Sequence, residues 1–118
     1  MTDTVYVSRR IPNEALEMLA GVNVRQWDSD DPVPYEVLRD AVSDVDGLYC
    51  LLTDRIDADL LAAAPNLRVV SQMAVGVDNI DVGACTERGI PVGNTPGVLT
   101  ETTADLAWAL LMATARRV

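Results

Sequence analysis

Apolar positions along this chain recur with two periods, and the two alternate from beginning to end. Short stretches that alternate at every second residue, or are apolar throughout, predict strands at 3–8, 22–27, 47–52, 68–73 and 90–93. Between them, apolar residues fall at three- and four-residue steps. Ala15, Leu16, Leu19 and Ala20 form such a stripe behind Pro12, whose missing N–H costs nothing in a first helical turn, and Gly21 is expected to cap it. Val37, Leu38, Ala41 and Val42 repeat the pattern behind Pro34. Asp57 is expected to N-cap a helix over 58–64 that Pro65 stops, and a further helix runs from Val82 to Gly89. The longest helix is expected to start at Thr100 or Glu101 and continue to the end, with Leu106, Ala107, Leu110, Leu111 and Ala113 inward. The run 47–52 is apolar throughout, as in a central parallel strand buried on both faces.

Five strand–helix alternations with short links predict an α/β fold: a parallel five-stranded sheet between helices in three layers, joined by right-handed crossovers. The expected strand order is 2-1-3-4-5, flavodoxin-like, with the long C-terminal helix appended. No internal repeat, linker or low-complexity segment interrupts it.

Composition narrows the function. The chain has 118 residues, enough for one domain, and 49% of them are hydrophobic. No apolar run approaches the roughly 20 residues of a membrane helix, and the N-terminus carries no signal-like segment, so a cytoplasmic protein is expected. A formal net charge of −9 argues against nucleic acid or an anionic membrane as partner. Lys is absent, all basic residues are Arg, and Asp outnumbers Glu. Such a surface stays hydrated where salt screens its self-repulsion, which suits a salt-adapted organism; a GC-rich gene accounts for it equally well. His is absent too, removing the commonest acid/base and metal ligand, and no metal site is expected. Cys50 and Cys85 form no CxxC pair and read as buried, reduced thiols. Met18, Met73 and Met112 read as core filler.

Candidate chemistry sits where parallel strands end. Gly76, between Val75 and Val77, follows the fourth strand and precedes a helix. A glycine there permits a sharp turn and close approach of a ligand, and amides left free at such a junction donate to an anion. Either Val75 and Gly76 bind a carboxylate, or the segment is a tight turn that binds nothing. Leu52, Thr53, Asp54 and Arg55 end the third strand, and Arg55 is either an anion partner or a solvated loop residue. Asp78 and Asp81 read as a turn-fixing residue and a helix cap more than as paired carboxylates. Thr100, Thr102 and Thr103 crowd the last helix start, with more hydroxyls than capping needs. Neither GxGxxG after a strand nor GxxxxGK[ST] is present, so the chain has no recognisable nucleotide site of its own.

Four segments in register resemble the D-isomer-specific 2-hydroxyacid dehydrogenases, a family that includes glyoxylate, hydroxypyruvate and phosphoglycerate dehydrogenases. They are Leu51-Leu-Thr-Asp-Arg-Ile-Asp-Ala-Asp-Leu-Leu-Ala-Ala-Ala-Pro-Asn-Leu-Arg-Val-Val70, Ala74-Val-Gly-Val-Asp-Asn-Ile-Asp81, Gly89-Ile-Pro-Val-Gly-Asn-Thr-Pro-Gly97 and Thr103-Ala-Asp-Leu-Ala107. The resemblance implies that residues 1–100 are the N-terminal part of a substrate domain and 101–118 an interdomain and dimerisation helix. It implies a substrate carboxylate on the amides of Val75 and Gly76, with the Leu52–Thr53 loop closing over it. It also implies contact of an NAD or NADP nicotinamide with Val75 and Thr103, and a structural role for Asn94.

The family chemistry is reduction of a small 2-oxo acid to the D-2-hydroxy acid. The Rossmann domain and the catalytic Arg, acid and His that the family carries later in its sequence have no counterpart here, so no residue of this chain is assigned a catalytic role. The leading expectation is therefore an N-terminal dehydrogenase fragment that is inactive and binds no cofactor by itself, and that dimerises through 101–118 by the apolar surface of Leu106, Trp108, Leu110, Leu111 and Met112. The second reading is a stand-alone binding or self-association module without activity. A phospho-receiver is disfavoured because Ser8-Arg9-Arg10 follows the first strand and Lys is absent. On the salt-adapted reading, the urea midpoint of unfolding rises between low and molar KCl; a midpoint that stays level counts against it.

Overall fold

The computed structural model describes residues 3–96. Its strands are β1 (Thr4–Val7), β2 (Asn23–Gln26), β3 (Gly47–Cys50), β4 (Val69–Gln72) and β5 (Val92–Gly93). They pair in parallel, in the expected order β2-β1-β3-β4-β5. The helices are α1 (Asn13–Glu17), α2 (Tyr35–Ala41), α3 (Ala58–Ala62) and α4 (Val82–Glu87), and a 3-10 turn (Val42–Asp44) extends α2.

The order reverses once, at β1. Right-handed crossovers therefore put the helix between β1 and β2 on one face and the later helices on the other. The core records this split. Tyr6, Leu48, Cys50 and Val70 join Leu38 of α2, Leu60 and Leu61 of α3, and Cys85 of α4 in one buried cluster. Alternate strand residues point the other way. Val5, Tyr49 and Val69 line, with Ile11 and Ala15, an apolar groove of about 360 Å³ beside α1. So β3 is largely buried on both faces, whereas Val69 and Ser71 of β4 are exposed.

Local chemistry sets the helix ends. The Asp57 carboxylate accepts from the Leu60 N–H at 2.9 Å and Asp81 from the Ala84 N–H at 3.0 Å, so both expected caps form. α4 closes at Gly89, whose φ of 68° suits glycine. Its N–H donates to Thr86 C=O at 3.0 Å and that of Ile90 to Cys85 C=O at 2.8 Å, the paired bonds of a glycine-terminated helix.

The first helix departs from expectation. It covers only Asn13–Glu17 and buries none of its residues. Beyond it, Met18, Leu19 and Ala20 donate to carbonyls three residues back, so the stripe continues as tight turns. Gly21 does not end it: the capping residue is Met18, in the ordinary right-handed region. Two small alanines and two leucines bury too little surface to hold a longer helix against the sheet. Met18 and Met73 are exposed rather than core filler.

Both cysteines are buried and unpaired, as expected. Burial, reinforced by the charge of Asp54 and by Cys85, pushes the Cys50 thiol up to about 12, so it stays protonated and inert. The expected helix over 100–118, with Thr100, Thr102, Thr103, Met112 and the apolar residues assigned to dimerisation, lies outside the described residues.

Candidate functional site

β3 and β4 end side by side, Cys50 opposite Gln72, and the Met73 N–H extends the ladder by donating to Cys50 C=O at 2.8 Å. The loops that follow are therefore neighbours. The first is a turn in which Asp54 N–H donates to Leu51 C=O at 3.0 Å. The buried Asp54 carboxylate closes it a second time, accepting from Leu51 N–H at 2.9 Å, and also accepts the Ser8 hydroxyl at the end of β1. Leu52 and Thr53 occupy the two central positions and are exposed. The Thr53 hydroxyl accepts from the Arg9 guanidinium at 2.5 Å.

The second loop is unusual in its carbonyls. Ala74 C=O accepts from Thr95 N–H at 3.0 Å, Val75 C=O from the Asn94 side-chain amide at 2.8 Å, and Gly76 C=O from the Gln72 side-chain amide at 3.1 Å. Three consecutive carbonyls are thus drawn back onto the protein. No peptide bond among the described residues is cis, and in a trans peptide the N–H points opposite to the C=O of the same peptide. The N–H groups of Val75, Gly76 and Val77 are accordingly turned away from those partners, and none finds an acceptor among the described residues. Val75 and Gly76 are exposed. Gly76 does not have the positive φ of a sharp glycine turn, and a Cβ placed on it meets nothing within 4 Å. Of the two reasons for a glycine there, the open approach remains.

Two side chains join the loops. Gln72 is 1% exposed, on the inward face of β4. Its Nε2 donates to Gly76 C=O and to the Asn79 side-chain oxygen, and its Oε1 accepts from the Cys50 thiol at 3.2 Å. The Asn79 Nδ2 donates to Leu51 C=O at 3.0 Å and Asp54 C=O at 2.7 Å, crossing from the second loop to the first. Ile56 and Ile80 bridge just beyond, with Ile56 N–H on Asn79 C=O at 2.9 Å.

Leu52, Thr53, Val75 and Gly76 thus lie at one end of the sheet, on adjacent loops. Thr103 lies outside the described residues. Arg55 is not free: its Nε pairs with Asp57 at 3.0 Å and its guanidinium lies 4.2 Å from the Tyr35 ring centre. Asp81 is occupied as a cap, and Asp78 makes no side-chain bond among the described residues. No cluster of three or more His, Cys, Asp or Glu suited to a metal occurs among them. Sequence reasoning missed Arg9, Gln72 and Asn79. A signal existed for Gln72, since a polar residue at an inward strand position needs partners when buried.

Known proteins match this chain over almost its whole length. A family profile described as D-isomer specific 2-hydroxyacid dehydrogenase, catalytic domain, matches residues 5–117. The chain is 57% identical to a glyoxylate reductase of Aeropyrum pernix over 115 residues, covering 97% of this chain and 34% of that protein. A crystal structure of a protein from Thermus thermophilus superposes with a TM-score of 0.89 at 44% identity, covering 97% of this chain and 37% of that one. An NADPH-dependent glyoxylate/hydroxypyruvate reductase from Sinorhizobium meliloti, solved with NADP and malonate, superposes with a TM-score of 0.73 at 30% identity, covering 97% and 34%. The chain thus spans about a third of the length of the relatives it matches.

The pair beside the first loop sets a pH response. Desolvation pushes the Asp57 carboxyl up, but the bonds from Tyr35 (2.6 Å) and Leu60 N–H and the charge of Arg55 outweigh it and hold the group below its ordinary value. A lowered folded-state value stabilises the protein above the unfolded value, about 3.9, and that stability is lost as pH falls through the folded value. Asp57→Asn keeps a good cap but removes the titration. Its urea midpoint, followed from pH 7 to 3, falls less steeply below about pH 4 than that of the native chain; parallel curves would refute the assignment. Asp57→Ala, which loses the cap, costs about 1 kcal/mol at pH 7.

Proposed function

The chain belongs to the D-isomer-specific 2-hydroxyacid dehydrogenase family, and from that premise we propose that it forms the carboxylate-binding wall of the substrate site in an NAD(P)-dependent reductase of small 2-oxo acids, such as glyoxylate or hydroxypyruvate. The observation that carries the reading is the pair of committed carbonyls at Ala74 and Val75, which turns the amides of Val75 and Gly76 away from Thr95 and Asn94, at an exposed loop. Two fixed N–H donors match the two oxygens of a carboxylate, and their fixed direction spares the cost of ordering them on binding. On this reading the Leu52–Thr53 turn, on the neighbouring loop, closes over the acid and shields it from water. The reductases among its relatives, one of them solved with the dicarboxylate malonate, support an acid as the ligand.

A bound nicotinamide cofactor, NAD or NADP, would supply the hydride for reduction of the acid's carbonyl, and Val75 and Thr103 are the residues that would contact it. The exposed Val75 side chain offers that ring an apolar contact, and Thr103 is assigned a polar one by family resemblance. This chain's residues hold the acid and fix the plane of its carboxylate. Protonation of the carbonyl oxygen needs an acid; the chain has no His, and no residue placed at the site is assigned that role. The 118 residues alone are therefore inactive on this reading, and 101–118 is proposed to pair two copies through its apolar residues.

A nitrogen-15-labelled sample of the chain, titrated with oxalate, tests the site. Saturable shifts centred on the amides of Val75 and Gly76 are expected. Absent shifts, or shifts centred elsewhere, contradict the reading. The same sample given NADH and glyoxylate is expected to show no oxidation above a blank.

A further inference from the structure

We infer that Gln72 and Asn79 are positioning residues for the acid substrate: their side-chain amides lock the Val75–Gly76 loop to the Leu51–Asp54 turn, so that the two walls of the site keep one relative geometry. The inference rests on the carboxylate-site reading above.

Burial is the first argument. Gln72 lies within β4 between Cys50 of the neighbouring strand and the loop, at 1% exposure. Packing alone would place an apolar side chain there, as Val70 does two residues earlier on the same face. A buried amide is costly unless bonded, and here every polar atom of the side chain is engaged. Nε2 serves Gly76 C=O and the Asn79 oxygen, while Oε1 takes the Cys50 thiol.

Direction is the second. Gly76 C=O is fixed by Gln72, which sets the plane of the peptide that follows Gly76. Asn79, three residues further on, donates from Nδ2 to carbonyls of the other loop, Leu51 at 3.0 Å and Asp54 at 2.7 Å, and at 3.3 Å to Gln72 Oε1. Asp54 is in turn anchored to Ser8 at the end of β1. A continuous path of bonds therefore runs from the carboxylate wall, through two amide side chains, to the facing turn and the centre of the sheet. Neither residue contacts the acid. Gln72 fixes the loop just after the donor peptides, at the Gly76–Val77 peptide that adjoins the Gly76 amide, and Asn79 fixes the neighbouring turn.

The isosteric variants Gln72→Glu and Asn79→Asp keep shape and acceptor but replace the donor by an oxygen that faces a carbonyl. Both are expected to weaken oxalate binding at the Val75 and Gly76 amides on the order of tenfold, since small misplacements at a site are costly. Val42→Ala, in the core under α2, is the control: it lowers the melting temperature and leaves oxalate affinity unchanged. Variants that melt lower but bind oxalate like the native chain overturn the positioning role while leaving the carboxylate site intact. A native chain that does not bind oxalate there overturns the site reading and this inference together. Should the variants fail to fold, the native spectrum decides. The Gln72 and Asn79 side-chain amide resonances shift at oxalate saturation if they hold the loop, and stationary resonances overturn the role.

Discussion

The loop after β4 ties down three backbone carbonyls in succession. Thr95 N–H, the Asn94 side chain and the Gln72 side chain hold the carbonyls of Ala74, Val75 and Gly76. Because each peptide is planar, pulling its oxygen inward turns its N–H outward. The donor pair assigned to the substrate is thus a consequence of where the acceptors went, and no charged side chain is needed to build it. This also explains how a chain of net charge −9 can offer a place for an anion: the positive ends of a few fixed dipoles act over a short distance, where the summed surface charge is largely screened.

The sheet order supplies the partners. Thr95 and Asn94 follow β5, which lies next to β4, and Gln72 ends β4 itself. The facing turn follows β3, on the other side of β4. Only with β4 between β3 and β5 do these segments meet, and they meet at the carboxyl ends of the strands because all three run parallel. This is the general place for ligands in open α/β sheets. The reversal of strand order at β1 has the further effect of putting the larger core on the face of α2, α3 and α4 and leaving α1 with a shallow groove.

How much of this was legible in the sequence depends on range. Features fixed within a few residues were readable: the alternation of periods that gives five parallel strands in order 2-1-3-4-5, the caps at Asp57 and Asp81, and the glycine end of α4 at Gly89. The first helix was over-read, because the stripe at Ala15, Leu16, Leu19 and Ala20 states a period but not the area it can bury. Val75 and Gly76, singled out as a carboxylate site at a strand end, do lie on an exposed loop there, and Gly76 does so without a positive φ. The amide network was missed because it depends on distance in space: Asn79 reaches Leu51 and Asp54, 28 and 25 residues away, and nothing near Asn79 in the chain announces it. Arg9 meets Thr53 across 44 residues for the same reason.

Whether an acid sits on the amides of this loop is decided by a crystal structure of the chain grown with oxalate. A carboxylate is expected with its oxygens about 3 Å from the amide nitrogens of both Val75 and Gly76, and with the carbonyls of Ala74, Val75 and Gly76 still on Thr95, Asn94 and Gln72. Oxalate bound instead at an arginine such as Arg9 or Arg68, with the loop amides left free, would contradict it.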